Sequence, residues 1–393
     1  MNQPLFLHIV ERLEGFLGKL PESIQKPVLK ELTPMKELFL KQRPPRFVLT
    51  GSHKLPLQEV VATLFAAAQP GDLSNVLMEV FRWHSTTLGE HGSVTLLDAR
   101  GADEGAMRKI EQELQRERAD IFLHLVDGNA ARPVPSRDLE TLVSLVQKSA
   151  SPEAAPKVIG VSVVGPEKKG SAASADRPPA KEKLKSALTD NASIRENLVD
   201  VLEVPLASVG EATPEPAPAA ARLMALLAAE LPNEARVEMI RVSRNREAQM
   251  QIAQTLVKST SAICTAVGAQ PIPLADLPIL TTLQLVMVSG IMHLAGRDRS
   301  LRSATEFVGA LGVNLGAGMV LREGARAVLK FFPGWGNVVC GAVAGAGTYA
   351  LGRAAVVYFL EGMTLKEARR TYLTSRKKRG PQEARRIKQI EPA

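Results

Sequence analysis

The chain has 393 residues, enough for two or three domains at roughly 100–200 residues each. Hydrophobic residues make up 45% and charged residues 23%, which excludes wholesale disorder; with only 11 Phe, 2 Trp and 3 Tyr, cores must be built from Ala, Val, Leu and Ile. The net charge of +8 is local: ten basic and three acidic residues lie between Lys366 and the C-terminus, and the remainder is almost neutral, which argues for a charged tail and against a basic domain.

The opening stretch, MNQPLFLHIVERLEG, has no basic segment ahead of a long apolar core, so no signal peptide is expected. Residues 1–42 carry apolar residues at helical spacing, ended by Pro44 and Pro45. From Arg46 the rhythm changes. Short apolar runs at Arg46–Gly51, Ser93–Asp98, Ile121–Val126, Lys157–Val164 and Val199–Val204 read as strands. Helical segments alternate with them at Leu57–Ala68, Asp103–Arg118, Ser136–Lys148 and Lys181–Leu198. That alternation predicts an α/β domain over 43–208, with a parallel sheet covered on both faces.

A Pro-rich linker is expected at 209–218. An all-α domain is expected over 219–365, built from Ala219–Leu231, Asn233–Val267, Leu277–Leu294, Ser303–Phe332 and Trp335–Gly362. A basic tail, 366–393, closes the chain. Two cysteines, Cys264 and Cys340, exclude a disulfide scaffold and a multi-cysteine zinc site, and they suit a reducing compartment.

The strand Arg46–Gly51, followed by a loop and a helix, invites a phosphate-binding reading. A P-loop is Gly-x-x-x-x-Gly-Lys-Ser/Thr. Aligned on Gly51, this chain has Pro56 for the second Gly, Leu57 for the Lys and Gln58 for the magnesium-holding hydroxyl. Proline has no N–H to offer a phosphate, and leucine has no charge. At about 1.5–3 kcal/mol per charge-assisted contact, losing two or three costs roughly 3–9 kcal/mol. Lys54 lies inside the loop, as a solvated lysine or a partial substitute. A second landmark, Asp98-Ala-Arg-Gly101, matches the Asp-x-x-Gly of GTPases at the end of the second apolar strand. After the strand ending at Val164 comes Gly165-Pro-Glu-Lys-Lys, which lacks the guanine-reading Asn-Lys-x-Asp.

On these residues the segment 45–208 resembles a degenerate Era-type GTPase domain. The chain from about 250 to 362 is similar to the helical domain of unknown function that follows GTPase domains in bacterial YcjF-like proteins. That second likeness is carried by Ala262–Asp276, Leu283–Met287, Phe332-Pro-Gly-Trp-Gly336 and Gly347–Phe359. The resemblance implies a P-loop-like fold in which Gly51 touches phosphate, Asp98 holds magnesium through water and Gly101 meets the γ-phosphate. It leaves GTP and Mg²⁺ as the alternative to a domain without cofactor.

The histidines, His8, His53, His84, His91, His124 and His293, form no metal-ligand spacing, so no metal is expected. His84 and His91 flank Ser85-Thr86-Thr87, where a switch threonine or an exposed loop is expected. No Gly-x-Ser-x-Gly or Cys–His pairing points to nucleotide-independent hydrolysis. Leu277–Gly296 and Phe331–Gly352 lack charged residues over about the length of a bilayer span, and Gly341-Ala-Val-Ala-Gly345 allows close helix approach. Integral span, peripheral contact and soluble bundle stay open. Arg376, Lys377, Lys378, Arg379, Arg385 and Arg386 are candidates for contact with an anionic membrane surface, ahead of RNA phosphates.

The expectation is therefore a non-catalytic pseudo-GTPase acting as a protein-interaction or membrane-associated scaffold, cytoplasmic or on the inner face of the cytoplasmic membrane. The alternatives are an atypical NTPase using Lys54 and Asp98, and a ribosome- or RNA-associated factor.

Overall fold

A computed structural model describes residues 41–65, 81–88, 92–130, 132, 134–150, 155–165, 179–206, 218–269, 276–311 and 335–388, with part of 22–32. The expected linker residues 209–217, most of the N-terminal helices and residues 312–332 of the expected helix 303–332 lie outside the described residues. The chain divides into two compact units, Arg43–Arg244 and a second formed by Met1–Gln42 with Asn245–Ala393.

The first unit is an α/β domain. Its strands are β1 (Arg46–Gly51), β2 (Trp83–Leu88), β3 (Gly92–Asp98), β4 (Ile121–Asp127), β5 (Lys157–Val164) and β6 (Leu198–Pro205). Its helices are α1 (Leu57–Phe65), α2 (Glu104–Arg116), α3 (Ser136–Ser149), α4 (Ala180–Asp190), the single turn α5 (Ala192–Arg195), α6 (Pro218–Glu230) and α7 (Asn233–Ser243). The sheet order is β2-β3-β1-β4-β5-β6. All pairings are parallel except β2–β3, so the sheet is mixed.

The antiparallel strand β2 is a correction to the all-parallel expectation. Trp-His-Ser-Thr-Thr-Leu contains no apolar run, because an edge strand with a solvated face needs none. Thr86 is buried within it, so the region expected to be a switch threonine or an exposed loop is a sheet edge. Trp83 locks this edge to the fold: its indole N–H donates to the carbonyls of Glu113 and Glu117 at the end of α2.

The central strands are buried on both faces. Val48, Phe122 and Val158 lie in register on one face and join the cluster that includes Ile110 and Leu114 of α2, Leu142 and Leu145 of α3, and Leu184 and Leu188 of α4. Parallel strands covered twice require near-continuous apolar runs, which is why these segments read clearly in the sequence. The expected helix Lys181–Leu198 is interrupted at Asn191, whose side chain accepts from Ser193 N–H and starts α5; Leu198 opens β6 instead.

At the amino end of the sheet, Asp120 accepts two hydrogen bonds from the Arg43 guanidinium, at 2.7 and 2.6 Å, and one from the backbone N–H of Arg46 at 2.9 Å. The Asp120 carboxylate holds the Arg43 guanidinium above its ordinary value, against the effect of burial.

The unit does not end at the Pro-rich stretch. Helices α6 and α7 belong to it, and α6 buries Leu223, Met224 and Leu227. The expected continuous helix Asn233–Val267 is broken at Arg244, which adopts a left-handed conformation (φ 51°) and terminates α7. Asn245 then accepts from Ala248 N–H and starts the next helix.

Every regular element of the second unit, among its described residues, is a helix. It comprises α8 (Arg246–Gly268), α9 (Asp276–Leu294), α10 (Leu301–Ala310), α11 (Trp335–Phe359) and α12 (Leu365–Lys388), with helical residues near Val28 and Leu32. A seam of small residues joins α8 and α11. A methyl group on Gly341 would sit 2.8 Å from the Thr265 carbonyl oxygen, and one on Gly352 would sit 2.5 Å from Val257 Cγ2. Gln284 of α9 donates to the buried Thr348 hydroxyl at 2.9 Å. Among the described residues, one helical stretch, Cys340–Phe359, is long and apolar enough to cross a membrane by length and composition. Two-thirds of its apolar window is buried inside the protein, as in the core helix of a soluble bundle.

Candidate functional site

Open α/β sheets bind ligands outside the carboxyl ends of their strands, where successive connections leave in opposite directions. Here that point lies beside β1, because the chain moves from β1 to β3 on one side and then to β4 on the other. At this end of the sheet the crevice is flanked by Gly51, the loop 52–56, Asp98, Arg100 and Gly101: Arg100 bonds the Ser52 and Leu55 carbonyls, and Gly101 lies against His53.

Gly51 ends β1 with φ 97°, and a methyl group there would lie 2.1 Å from the Leu125 carbonyl oxygen. Ser52 N–H donates to the same carbonyl at 2.8 Å. That bond continues the β1–β4 pairing one residue beyond Gly51. Gly101 also has positive φ (68°), and its α-carbon packs under the His53 side chain. Lys54 is exposed in the loop, while Leu55 is buried and pins it down.

The residue that organises the crevice was not singled out from the sequence. Arg100 is 7% exposed and turns back over Asp98. Its Nε donates to Asp98 Oδ1 at 2.8 Å and its Nη2 to Oδ2 at 2.9 Å, a two-pronged pairing that engages both carboxylate oxygens. Nη1 donates to the Leu55 carbonyl at 2.8 Å and to the Ser52 carbonyl at 3.4 Å. The loop therefore presents carbonyl oxygens to a cation. A phosphate cradle requires the opposite polarity, with N–H groups pointing inward. The only available signal was the Asp-x-Arg spacing at a strand end, which is common enough to pass unnoticed.

The residues present do not fit a Mg²⁺–triphosphate group. Both Asp98 oxygens are engaged by Arg100, Gln58 replaces the magnesium-holding hydroxyl, and Glu59 places a carboxylate in the first turn of α1, where its charge opposes an anion. Pro56 acts as a helix start, its carbonyl accepting from Val60 N–H at 3.0 Å. On the rim, burial raises the Asp138 carboxyl, with His53 and Arg137 opposing the shift.

Beneath the crevice, His124 of β4 is fully buried, its Nδ1 3.0 Å from Thr50 Oγ1. Burial lowers its pKa to about 4. With an unfolded value near 6.5, the neutral ring contributes its full stability above pH 6.5, and that contribution falls as pH drops toward 4. The total loss is about 3 kcal/mol. Urea titrations at pH 7 and pH 4.5 are expected to show most of it, and a His124→Gln variant should flatten the dependence; an unchanged pH slope in that variant would refute the assignment.

The cationic candidates lie in the other unit. Arg376 is exposed on α12, and Lys377, Lys378, Arg379, Arg385 and Arg386 continue the same helix, their side chains outside the described residues. No group of three potential metal-ligating side chains occurs among the described residues.

No family model matches the chain. Over 148 residues it is 28% identical to magnetosome membrane protein 22 of Magnetospirillum gryphiswaldense (strain DSM 6361 / JCM 21280 / NBRC 15271 / MSR-1); the match spans 35% of this chain and 74% of that protein.

Proposed function

We propose that the chain is a non-catalytic scaffold in which a nucleotide-binding type of α/β unit has become a protein-interaction platform and the helical unit associates with a membrane. The observation that carries the first half is the Arg100 clasp. An internal guanidinium bonds both oxygens of Asp98 and the loop carbonyls, so the crevice is neutralised without ligand. The strand order supports descent from the Era-type GTPase architecture, and Pro56, Leu57, Gln58 and Glu59 support the loss of its chemistry. The membrane half is supported by the apolar helical stretch Cys340–Phe359, the basic α12 and the partial likeness to a protein named for the magnetosome membrane. On this reading the protein works at the inner face of the cytoplasmic membrane.

Calorimetry with GTP and with ATP, each with Mg²⁺, is the direct test. No heat of binding is expected up to about 1 mM, given the roughly two to six decades of affinity lost with the loop contacts. Micromolar binding abolished by Lys54→Ala and Asp98→Ala would replace this proposal with an atypical nucleotide-binding protein.

A further inference from the structure

The segment expected to be a tail begins as a capped helix. Thr364 starts α12 through a reciprocal box: its N–H and hydroxyl donate to Glu367 Oε2 at 2.9 and 2.8 Å, and Glu367 N–H donates to the Thr364 hydroxyl at 3.3 Å. Those bonds hold the Glu367 carboxyl below its ordinary value. The cap fixes the rotational setting of every residue that follows.

With that setting, Ala368 and Tyr372 are buried against the helical unit. The opposite arc carries Lys366, Arg369, Arg370 and Arg376, all exposed. At the centre of the arc lies Leu373, 57% exposed and flanked by cations at i−7, i−4, i−3 and i+3. Met363, 46% exposed, precedes the cap. In water an isolated leucine among four cations gains nothing from its position. At a bilayer interface the same arrangement is favourable: the leucine enters the acyl boundary, and the long cationic side chains reach back to headgroup phosphates. Lys377 extends the arc by one further turn in sequence.

We infer that α12 lies flat on an anionic lipid surface through the face Lys366–Arg369–Arg370–Leu373–Arg376. The inference rests on the membrane reading above and names the element and the lipid chemistry responsible. Charge complementarity selects anionic lipid, and the central leucine distinguishes a bilayer from a purely electrostatic partner such as RNA, which offers nothing for it to enter.

Flotation of the full chain with vesicles tests this, using phosphatidylcholine alone and phosphatidylcholine with 30 mol% phosphatidylglycerol. Binding is expected on the anionic vesicles. At about fivefold per charge near such a surface, the Arg369→Gln, Arg370→Gln double variant should bind roughly 30-fold more weakly. Leu373→Gln should also weaken binding, but with its salt dependence retained. All three residues are exposed, so circular dichroism should be unchanged in the variants. Flotation that is equal on neutral vesicles and indifferent to these variants would overturn the role of α12 while leaving membrane association intact. Failure of the wild-type chain to float on either vesicle would remove both. Binding to homopolymer RNA that is lost in the double variant, with vesicle binding unaltered, would assign the face to nucleic acid and overturn the inference.

Discussion

Replacing Arg100 with Ala is expected to destabilise the α/β unit by about 3 kcal/mol or more, since removing one member of a buried pair strands its partner. The side chain is 4% exposed and that of Asp98 22%, so solvent can only partly take over. The Leu55 carbonyl loses its 2.8 Å donor as well. Arg100→Lys should recover little, because an ammonium cannot span both Asp98 oxygens and the loop carbonyl together. The double variant Asp98→Asn, Arg100→Met should be less damaged than the sum of its single changes, which a double-mutant cycle in urea will reveal. None of these variants should acquire GTP affinity, because Pro56 offers no N–H, Leu57 no charge and Glu59 opposes an anion at the start of α1. A neutral Arg100→Ala, or one that gains nucleotide binding, would show that the clasp is a removable lid and contradict the scaffold proposal.

Gly51→Ala should be harsher still. The position has φ 97°, where an L-residue is strained, and the new methyl would lie 2.1 Å from the backbone oxygen of Leu125 on a neighbouring central strand. Neither atom can step aside without parting β1 from β4. A loss of at least about 4 kcal/mol is expected. The thermal transition of the α/β unit, followed by Trp83 as part of the intrinsic fluorescence, should shift sharply or vanish. An unaltered transition would mean that the end of β1 can rearrange, and the rigid-crevice description would have to be abandoned. The glycine is thus required by packing alone, whether or not a phosphate ever approaches it.

What could be read beforehand follows from how each segment is buried. Lys157–Val164 is recovered end to end because a strand covered on both faces is apolar at nearly every position. Trp83–Leu88 was missed because only part of an edge strand needs to be apolar. The break at Arg244 was hidden because the apolar periodicity continues across it, and nothing in an arginine advertises a left-handed backbone. The candidate crevice was legible as a set of landmarks, Gly51, Asp98 and Gly101, but not as chemistry. Arg100 is two residues from Asp98, and only the fold shows that it turns inward and reaches a loop 45 positions earlier. The basic run at the C-terminus was plain, yet which of its faces is left exposed depended on the burial of Ala368 and Tyr372.

The position of the Arg244 break bears on how freely the chain can vary. The proline-dense stretch around 209–218 falls within the sequence span of the α/β unit, ahead of α6, so it is a detour inside one folding module and not the tether between modules. Lengthening such a detour twofold costs only about 0.6 kcal/mol of closure entropy. Its length and composition can therefore drift between related proteins without altering the covalent connections between the modules, which are the two junctions Gln42–Arg43 and Arg244–Asn245.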